Sequence, residues 1–323
     1  GYTRPIVSTS PAARMAPTRA PRPDRLVRAL SERGGVSARA LIGSNLVADA
    51  MSLRALAPTA ANALGRALMG AVLIAVGPSA EAEDQSERPG SEGESVQLQF
   101  RGDGPLGTVL AISDARGRVR GTVDQPGADL SLADGSPDVA RAIGLGTLTV
   151  VRHRPGAREP YTGIVPLTSG EMAQDITLYL TESEQTPSAM GLGVAMANDE
   201  SAVVAAGFLL QRLPDASDAE LARAEANVRG MPPLSDLALT DADGDEILDL
   251  LLEGLGSRAR THSEPIFYCP CTRARALGTL QMLERTELEE IVASGQGQEV
   301  CCHFCARAYA LAPGEISPLL TPN

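Results

Sequence analysis

All five cysteines of this 323-residue chain lie between Cys269 and Cys305, and the 268 residues before them contain none. A disulfide-scaffolded secreted protein spreads its cysteines through a small fold. A cluster at one end of a long chain reads instead as a metal or redox site in a reducing compartment. Cys269-Pro270-Cys271 is a C-x-C, and Cys302-His303-Phe304-Cys305 is a C-x-x-C. Side chains two apart in an extended segment point the same way, so a C-x-C can present both sulfurs to one ion. A C-x-x-C turn does the same. Cys269, Cys271, Cys302 and Cys305 thus supply four thiolates for one tetrahedral zinc per chain, with no position left for water. Such closure argues for a structural or regulatory ion and against hydrolysis. Cys301 is a fifth thiol that could replace Cys302, but the C-x-x-C spacing favours Cys302. It is read as a buried or free neighbour. His303 is a further potential ligand, read as a supporting or exposed residue beside four better-placed sulfurs.

Charge and composition remove whole classes of function. The formal net charge is −12, and every basic residue is Arg. A nucleic-acid binder needs a net basic surface to displace counterions, so none is expected here. Without Lys there is neither a P-loop nor a lysine Schiff base. No run of 18 apolar residues occurs, so no membrane span is expected. Aromatics make up 3% of the chain and Trp is absent, so the core must be built from Ala, Val, Leu and Ile.

Residues 1–23 carry four Arg, five Pro and no acid. They read as a disordered extension or, alternatively, as an organelle transit peptide. From Asp24, an N-cap candidate, Leu26, Val27 and Leu30 sit at helical spacing. Pro58 to Val76 reads as a nearly apolar helix packed closely on a sheet. Glu81 to Glu94 holds six acids and reads as a solvated insertion. Val96–Phe100, Gly107–Ser113, Arg118–Val123, Leu148–Arg152 and Ile176–Leu180 have strand composition, and Ala202–Leu210 is another apolar run. Ser217 and Glu220 form a capping box for a helix that stops at Gly230. Asp236 to Glu253 holds seven acids and no base, interleaved with Leu and Ile. It reads as an amphipathic linker whose docking is marginal.

Two motifs are read as decoys. Gly102-Asp103-Gly104-Pro105-Leu106-Gly107 fits G-x-G-x-x-G, but a dinucleotide site needs a helix to open at the loop. Thr108–Ser113 reads as a strand, which makes the glycines a hairpin turn. Asp241-Ala242-Asp243-Gly244-Asp245 resembles a calcium loop, but Glu246 and Leu252 occupy the positions where Gly and the closing Glu belong. It reads as a helix cap and first turn. Between the cysteine pairs, Thr272 is expected to cap one helix, and Thr286 with Glu289 another that ends near Gly295.

The chain also resembles a known family, the redox-regulated chaperones called heat shock protein 33 or the 33 kDa chaperonin. The resemblance covers about residues 24–312. It rests on Pro58-Thr59-Ala60, Ala63-Leu64-Gly65-Arg66, Gly104-Pro105-Leu106-Gly107, Ser169-Gly170-Glu171, Ser183-Glu184-Gln185-Thr186-Pro187-Ser188 and the two cysteine motifs. It departs in the N-terminal extension, the acidic insertion, the absence of Lys and the additional Cys301.

The resemblance implies an α+β fold: a mixed α/β chaperone core over 24–213 with an acidic insertion near 79–95. A helical, redox-sensitive linker over 214–260 and a small zinc-binding domain over 261–323 follow. It implies an ATP-independent holdase, not an enzyme, that is zinc-bound, monomeric and inactive when reduced. Oxidation would form the disulfides Cys269–Cys271 and Cys302–Cys305, release zinc and unfold the linker. The protein would then dimerise and bind unfolding client proteins. The implied location is the cytoplasm, or an organelle stroma or matrix if residues 1–23 target one. A constitutive zinc-stapled binding module and a thiol–disulfide oxidoreductase using Cys302-His303-Phe304-Cys305 are the rival readings.

Overall fold

A computed structural model of the chain describes residues 22–77, 94–196, 203–240 and 242–320. The N-terminal extension through residue 21 and the acidic insertion over 78–93 lie outside the described residues.

The core is two sheets closed around one helix. The first sheet has the order β10-β1-β2-β9-β8, formed by Arg258–Ser263, Arg25–Leu30, Val36–Ile42, Val203–Arg212 and Ser188–Met196. The second has the order β11-β5-β4-β3-β6-β7. Its strands are Ile266–Phe267, Arg118–Val123, Thr108–Asp114, Ser95–Gly102, Gly146–His153 and Tyr161–Leu167. Neighbours pair antiparallel except β11, which adds to β5 in parallel. Helix α2, Pro58–Ala75, lies between the sheets, preceded by α1, Ser44–Leu53. Leu41 on the first sheet, Leu64, Leu68 and Val72 on α2, and Leu98 and Phe100 on the second share one core. Pro58 at the first helical position and a run of Ala and Gly let α2 pack backbone close to both sheets. An 18-residue window of α2 has a mean hydropathy of 1.2, apolar enough to cross a bilayer, yet 89% of it is buried in the protein itself.

The five predicted strands meet one correction, and the apolar run after them falls in β9. Ile176–Leu180 lies inside α4, Met172–Glu182, not in a strand. Met172, Ile176, Tyr179 and Leu180 form one buried helical face, a periodicity that extends beyond the five residues with strand composition. A second correction concerns Leu26, Val27 and Leu30, which belong to β1 rather than a helix. Leu26, Val27 and Ala29 are all buried because the first sheet is covered on both faces, which erases the alternation of a half-buried strand.

The second cover comes from α5, Asp218–Arg229, α6, Leu234–Leu239, and α7, Gly244–Leu251. Their Ala224, Leu234, Ala238, Ile247, Leu248 and Leu251 pack on Val27, Ala38, Phe208 and Leu210 of the outer face. Ile247, Leu248 and Leu251 are 0% exposed, so the docking is not marginal. None of the described acids of this stretch is buried. Asp245 pairs with Arg260 and His262 of β10 at 2.9 and 3.0 Å. The Ser217–Glu220 capping box opens α5, and an Asp243–Glu246 box opens α7, as the calcium-loop decoy implied.

The glycine-rich decoy is likewise a turn, between β3 and β4. A Cβ on Gly102 would lie 1.9 Å from the carbonyl oxygen of Ile143, so these glycines admit the end of α3, Val139–Ile143. The Ser183–Ser188 string follows α4. Its Glu184 grips Arg152, which also meets Glu94 at 2.7 Å, and accepts from the Tyr179 hydroxyl at 2.7 Å.

Candidate metal centre

The last described unit is small: α8, Arg273–Leu280, α9, Arg285–Ala293, the hairpin β12–β13, Gln298–Cys301 and Ala308–Leu311, and α10, Pro313–Ile316. Its buried apolar residues are Ala276, Leu280, Leu288, Leu311 and Ile316. That is far too little to hold a unit of this size without a staple. Thr272 caps α8 by accepting from the Arg275 amide at 3.2 Å, as its position implied. The cap of α9 differs from expectation. Glu284, not Thr286, is the N-cap, with Glu287 as the reciprocal partner. Glu289 instead pairs with Arg285 at 2.9 Å, because the helix begins two residues earlier.

The candidate for such a staple lies where the two motifs meet. Cys269 and Cys271 approach from the segment after β11, and Cys302 and Cys305 from the β12–β13 turn. The sulfurs of Cys269, Cys271, Cys302 and Cys305 all lie within 4.8 Å of one another. Two contacts cross between the halves, at 3.6 Å for Cys269–Cys302 and 3.4 Å for Cys271–Cys305. Four thiolates at about 2.3 Å from one tetrahedral zinc stand about 3.8 Å apart, so this donor set fits the ion in size and in softness.

Cys301 is exposed and faces Glu299 at 3.8 Å, outside the cluster, and His303 is exposed as well. Burial, then the Glu299 carboxylate, pushes the Cys301 thiol up. Within the cluster burial pushes Cys269 and Cys305 up. Cys302 behaves oppositely. Burial opposes its charge, but the amides of Cys305 and Phe304 outweigh that and bring it down to about 7.

Residues that the spacing argument did not name complete the site. The Tyr309 hydroxyl donates to Sγ of Cys271 at 3.1 Å. Tyr268, just before Cys269, lies under Arg118, with the guanidinium carbon 5.1 Å from the ring centre. Phe304, just before Cys305, lies under Arg120 at 5.0 Å. Both arginines stand on β5, so the two halves of the centre dock on one strand of the core. A signal was present: with nine aromatic residues in the whole chain, Phe267, Tyr268, Phe304 and Tyr309 all fall in the cysteine-bearing segment.

Fold and site together define a two-sheet α/β protein whose chemistry resides in a closed four-thiol centre at its C-terminal end. The profile of the family described as Hsp33 protein matches residues 24–312. A 33 kDa chaperonin of Symbiobacterium thermophilum is 39% identical over 294 residues, 91% of this chain and 96% of the relative. One from Geobacter sulfurreducens is 37% identical, covering 92% and 94%. The crystal structure of the 33 kDa chaperonin from Thermotoga maritima superposes with a TM-score of 0.81 at 31% identity, over 93% of this chain and 98% of that one. The chain belongs to the Hsp33 family, the 33 kDa chaperonins, and is a chaperone.

Proposed function

We propose that this chaperone is a redox-regulated, ATP-independent holdase and not an enzyme, with Cys269, Cys271, Cys302 and Cys305 as zinc ligands and oxidation sensor. The observation that carries this reading is the convergence of four sulfurs within 4.8 Å. A bound zinc would keep the thiolates deprotonated and close a unit whose own core is too small. The reduced form is then a monomer with its client surface covered.

Peroxide, or hypochlorite, oxidises the thiolate pairs. Cys269 joins Cys271 and Cys302 joins Cys305. As each S–S bond forms, two thiolates give up one electron pair; hydrogen peroxide takes that pair, its O–O bond breaks, and with two protons it leaves as two molecules of water. Sulfurs tied in disulfides no longer ligate, so the C-terminal unit loses its staple. The linker over 214–260 follows, and Ile247, Leu248 and Leu251 part from Phe208 and Leu210. The apolar area so opened receives unfolding clients, and the active form is a homodimer. A centre that depends on free thiols suits a reducing compartment such as the cytoplasm.

The test measures zinc content and suppression of light scattering by an aggregating client on one sample, before and after peroxide with mild heat. One zinc per chain, lost as suppression appears, supports the reading. Zinc retained, or lost without suppression, sinks it and leaves a constitutive zinc-stapled binding module.

A further inference from the structure

One ten-residue strap closes an edge of both sheets. Over 258–267 the chain adds β10 antiparallel to β1, with Leu26 opposite Ser263 and Arg28 opposite Thr261. After Glu264-Pro265 it adds β11 parallel to β5. There the amides of Ile266 and Tyr268 donate to the carbonyls of Gly117 and Val119 at 3.1 and 2.8 Å.

The strap and the strands beneath it differ in what holds them. β10 is the polar sequence Arg-Ala-Arg-Thr-His-Ser and has no buried residue. Its side chains fasten it largely to α7: Arg260 to Asp245 at 2.9 Å, and His262 to the same carboxylate at 3.0 Å. Thr261 accepts from Nε of Arg28 at 2.7 Å. β11 has two residues, of which Ile266 is 44% exposed and Phe267 packs part-buried against the core; its further fastening is the arginine clamp on Tyr268 and Phe304. The covered strands are deep in the core. Leu26, Val27, Val119 and Val123 are each at most 1% exposed. Loss of the linker helices and the four-thiol centre therefore removes the ion pairs of β10 and the clamp of β11, leaving the Arg28–Thr261 bond, the Phe267 contact and the strand pairing to hold the strap, while β1 and β5 stay in place.

We propose that the β1 and β5 edges are the client-capture sites of the activated protein: extended segments of unfolded polypeptide add to them as strands in place of β10 and β11. This rests on the redox-holdase reading above. An uncovered strand edge is a row of unpaired N–H and C=O groups, and pairing with it is largely independent of sequence. A holdase that takes unrelated chains needs that indifference. Arg118 and Arg120, released from Tyr268 and Phe304, bias the β5 edge towards strands carrying aromatic or acidic residues.

Hydrogen–deuterium exchange on the full chain tests this in three states: reduced with zinc, oxidised, and oxidised with excess unfolded α-casein. Peptides spanning 25–30 and 118–123 are expected to be protected at first, to exchange at least about tenfold faster after oxidation, and to regain protection with casein. Arg260→Ser should speed exchange over 25–30 in the reduced, zinc-loaded protein. The proposal is overturned if both peptides stay protected while casein is bound and aggregation is suppressed, or if they exchange as fast with casein as without. Protection that rises with protein concentration in the absence of casein would assign the edges to a second copy and overturn it too. Zinc loss without suppression in the parallel scattering assay would mark failure of the holdase reading, and this inference would fall with it.

Discussion

The hydroxyl of Tyr309 lies 3.1 Å from Sγ of Cys271 and donates its hydrogen to that sulfur. A donor aimed at a thiolate draws charge from it and lowers its nucleophilicity. On the proposed redox reading, Tyr309 would set how readily one corner of the centre is oxidised. In Tyr309→Phe, zinc release under peroxide should be about three- to tenfold faster. Release to a chelator without oxidant should change much less, since the ring still packs. A structural loosening would speed both alike, so the two rates measured with a zinc indicator separate the roles.

Arg120 over Phe304 joins the core to the second cysteine pair. Arg120→Ala is a cleaner variant than Arg118→Ala, because Arg118 also pairs with Asp114 at 2.6 Å. An exposed cation–π contact contributes about 0.5–1 kcal/mol, so the C-terminal unit should open about two- to fivefold more often. Tryptic cleavage at Arg258 and Arg260 would rise by that factor while zinc content stays unchanged. Equal cleavage in variant and parent would place the docking energy elsewhere.

Once metal is stripped, the fold acidifies the thiol of Cys302, whereas burial pushes those of Cys269 and Cys305 up. The Cys302 value in the fold falls from 9.0 to about 7, despite burial, because the amides of Cys305 and Phe304 point at the sulfur. The sign follows: the thiolate's stabilisation is complete above the ordinary value and is lost as pH falls through about 7. In the reduced protein, in the interval after chelation and before the unit opens, iodoacetamide should label Cys302 ahead of Cys269, Cys305 and Cys301, with labelling lost on acidification through neutrality. Cys301 should lag although it is more exposed, and Glu299→Gln should speed it. Peptide mapping reads both, and equal labelling of Cys301 and Cys302 at neutral pH would contradict the ordering.

Removing the metal should unfold the C-terminal unit and spare the core. Ala276, Leu280, Leu288, Leu311 and Ile316 are the buried apolar content of that unit, whereas a structural zinc contributes on the order of 10 kcal/mol in small modules. Chelation at neutral pH is expected to expose residues 269–316 to protease, with the urea transition of the core retained. A single transition that shifts as a whole on chelation would mean core and centre unfold as one unit.

The centre was legible because four thiols at two fixed short spacings leave few chemistries open. The arginines that clamp it were not. Arg118 and Arg120 are distant in sequence and ordinary in composition, and what gives them their role is the parallel addition of β11 to β5. The elements followed the same rule. Pro58–Ala75 and Ser217–Gly230 announce themselves through local signals, a helix-start proline and a capping box. β1 does not, because burial on both faces removes its alternation. α4 was hidden by β-branched and aromatic residues at Ile176, Thr177 and Tyr179, whose helical face needs Met172 to complete it.

Asp24 shows how a local signal can be correct in kind and wrong in address. Its carboxylate caps a helix, but that helix is α1, 20 residues downstream. Oδ1 accepts from the Asn45 amide at 2.8 Å and Oδ2 from the Leu46 amide at 2.6 Å. Gly43 at the N-cap position has no side chain with which to do this. Asp24 is 5% exposed, so without it two amides would be left in a dry environment. Asp24→Ala should cost about 1–2 kcal/mol, the range for a lost N-cap. Asp24→Asn keeps one acceptor oxygen and should cost less. The urea midpoint of the core should fall in that order with an unchanged slope, while zinc content stays at the parent value. Equal losses in the two variants would show that the negative charge at the start of α1, rather than its paired hydrogen bonds, is what the fold requires of this residue.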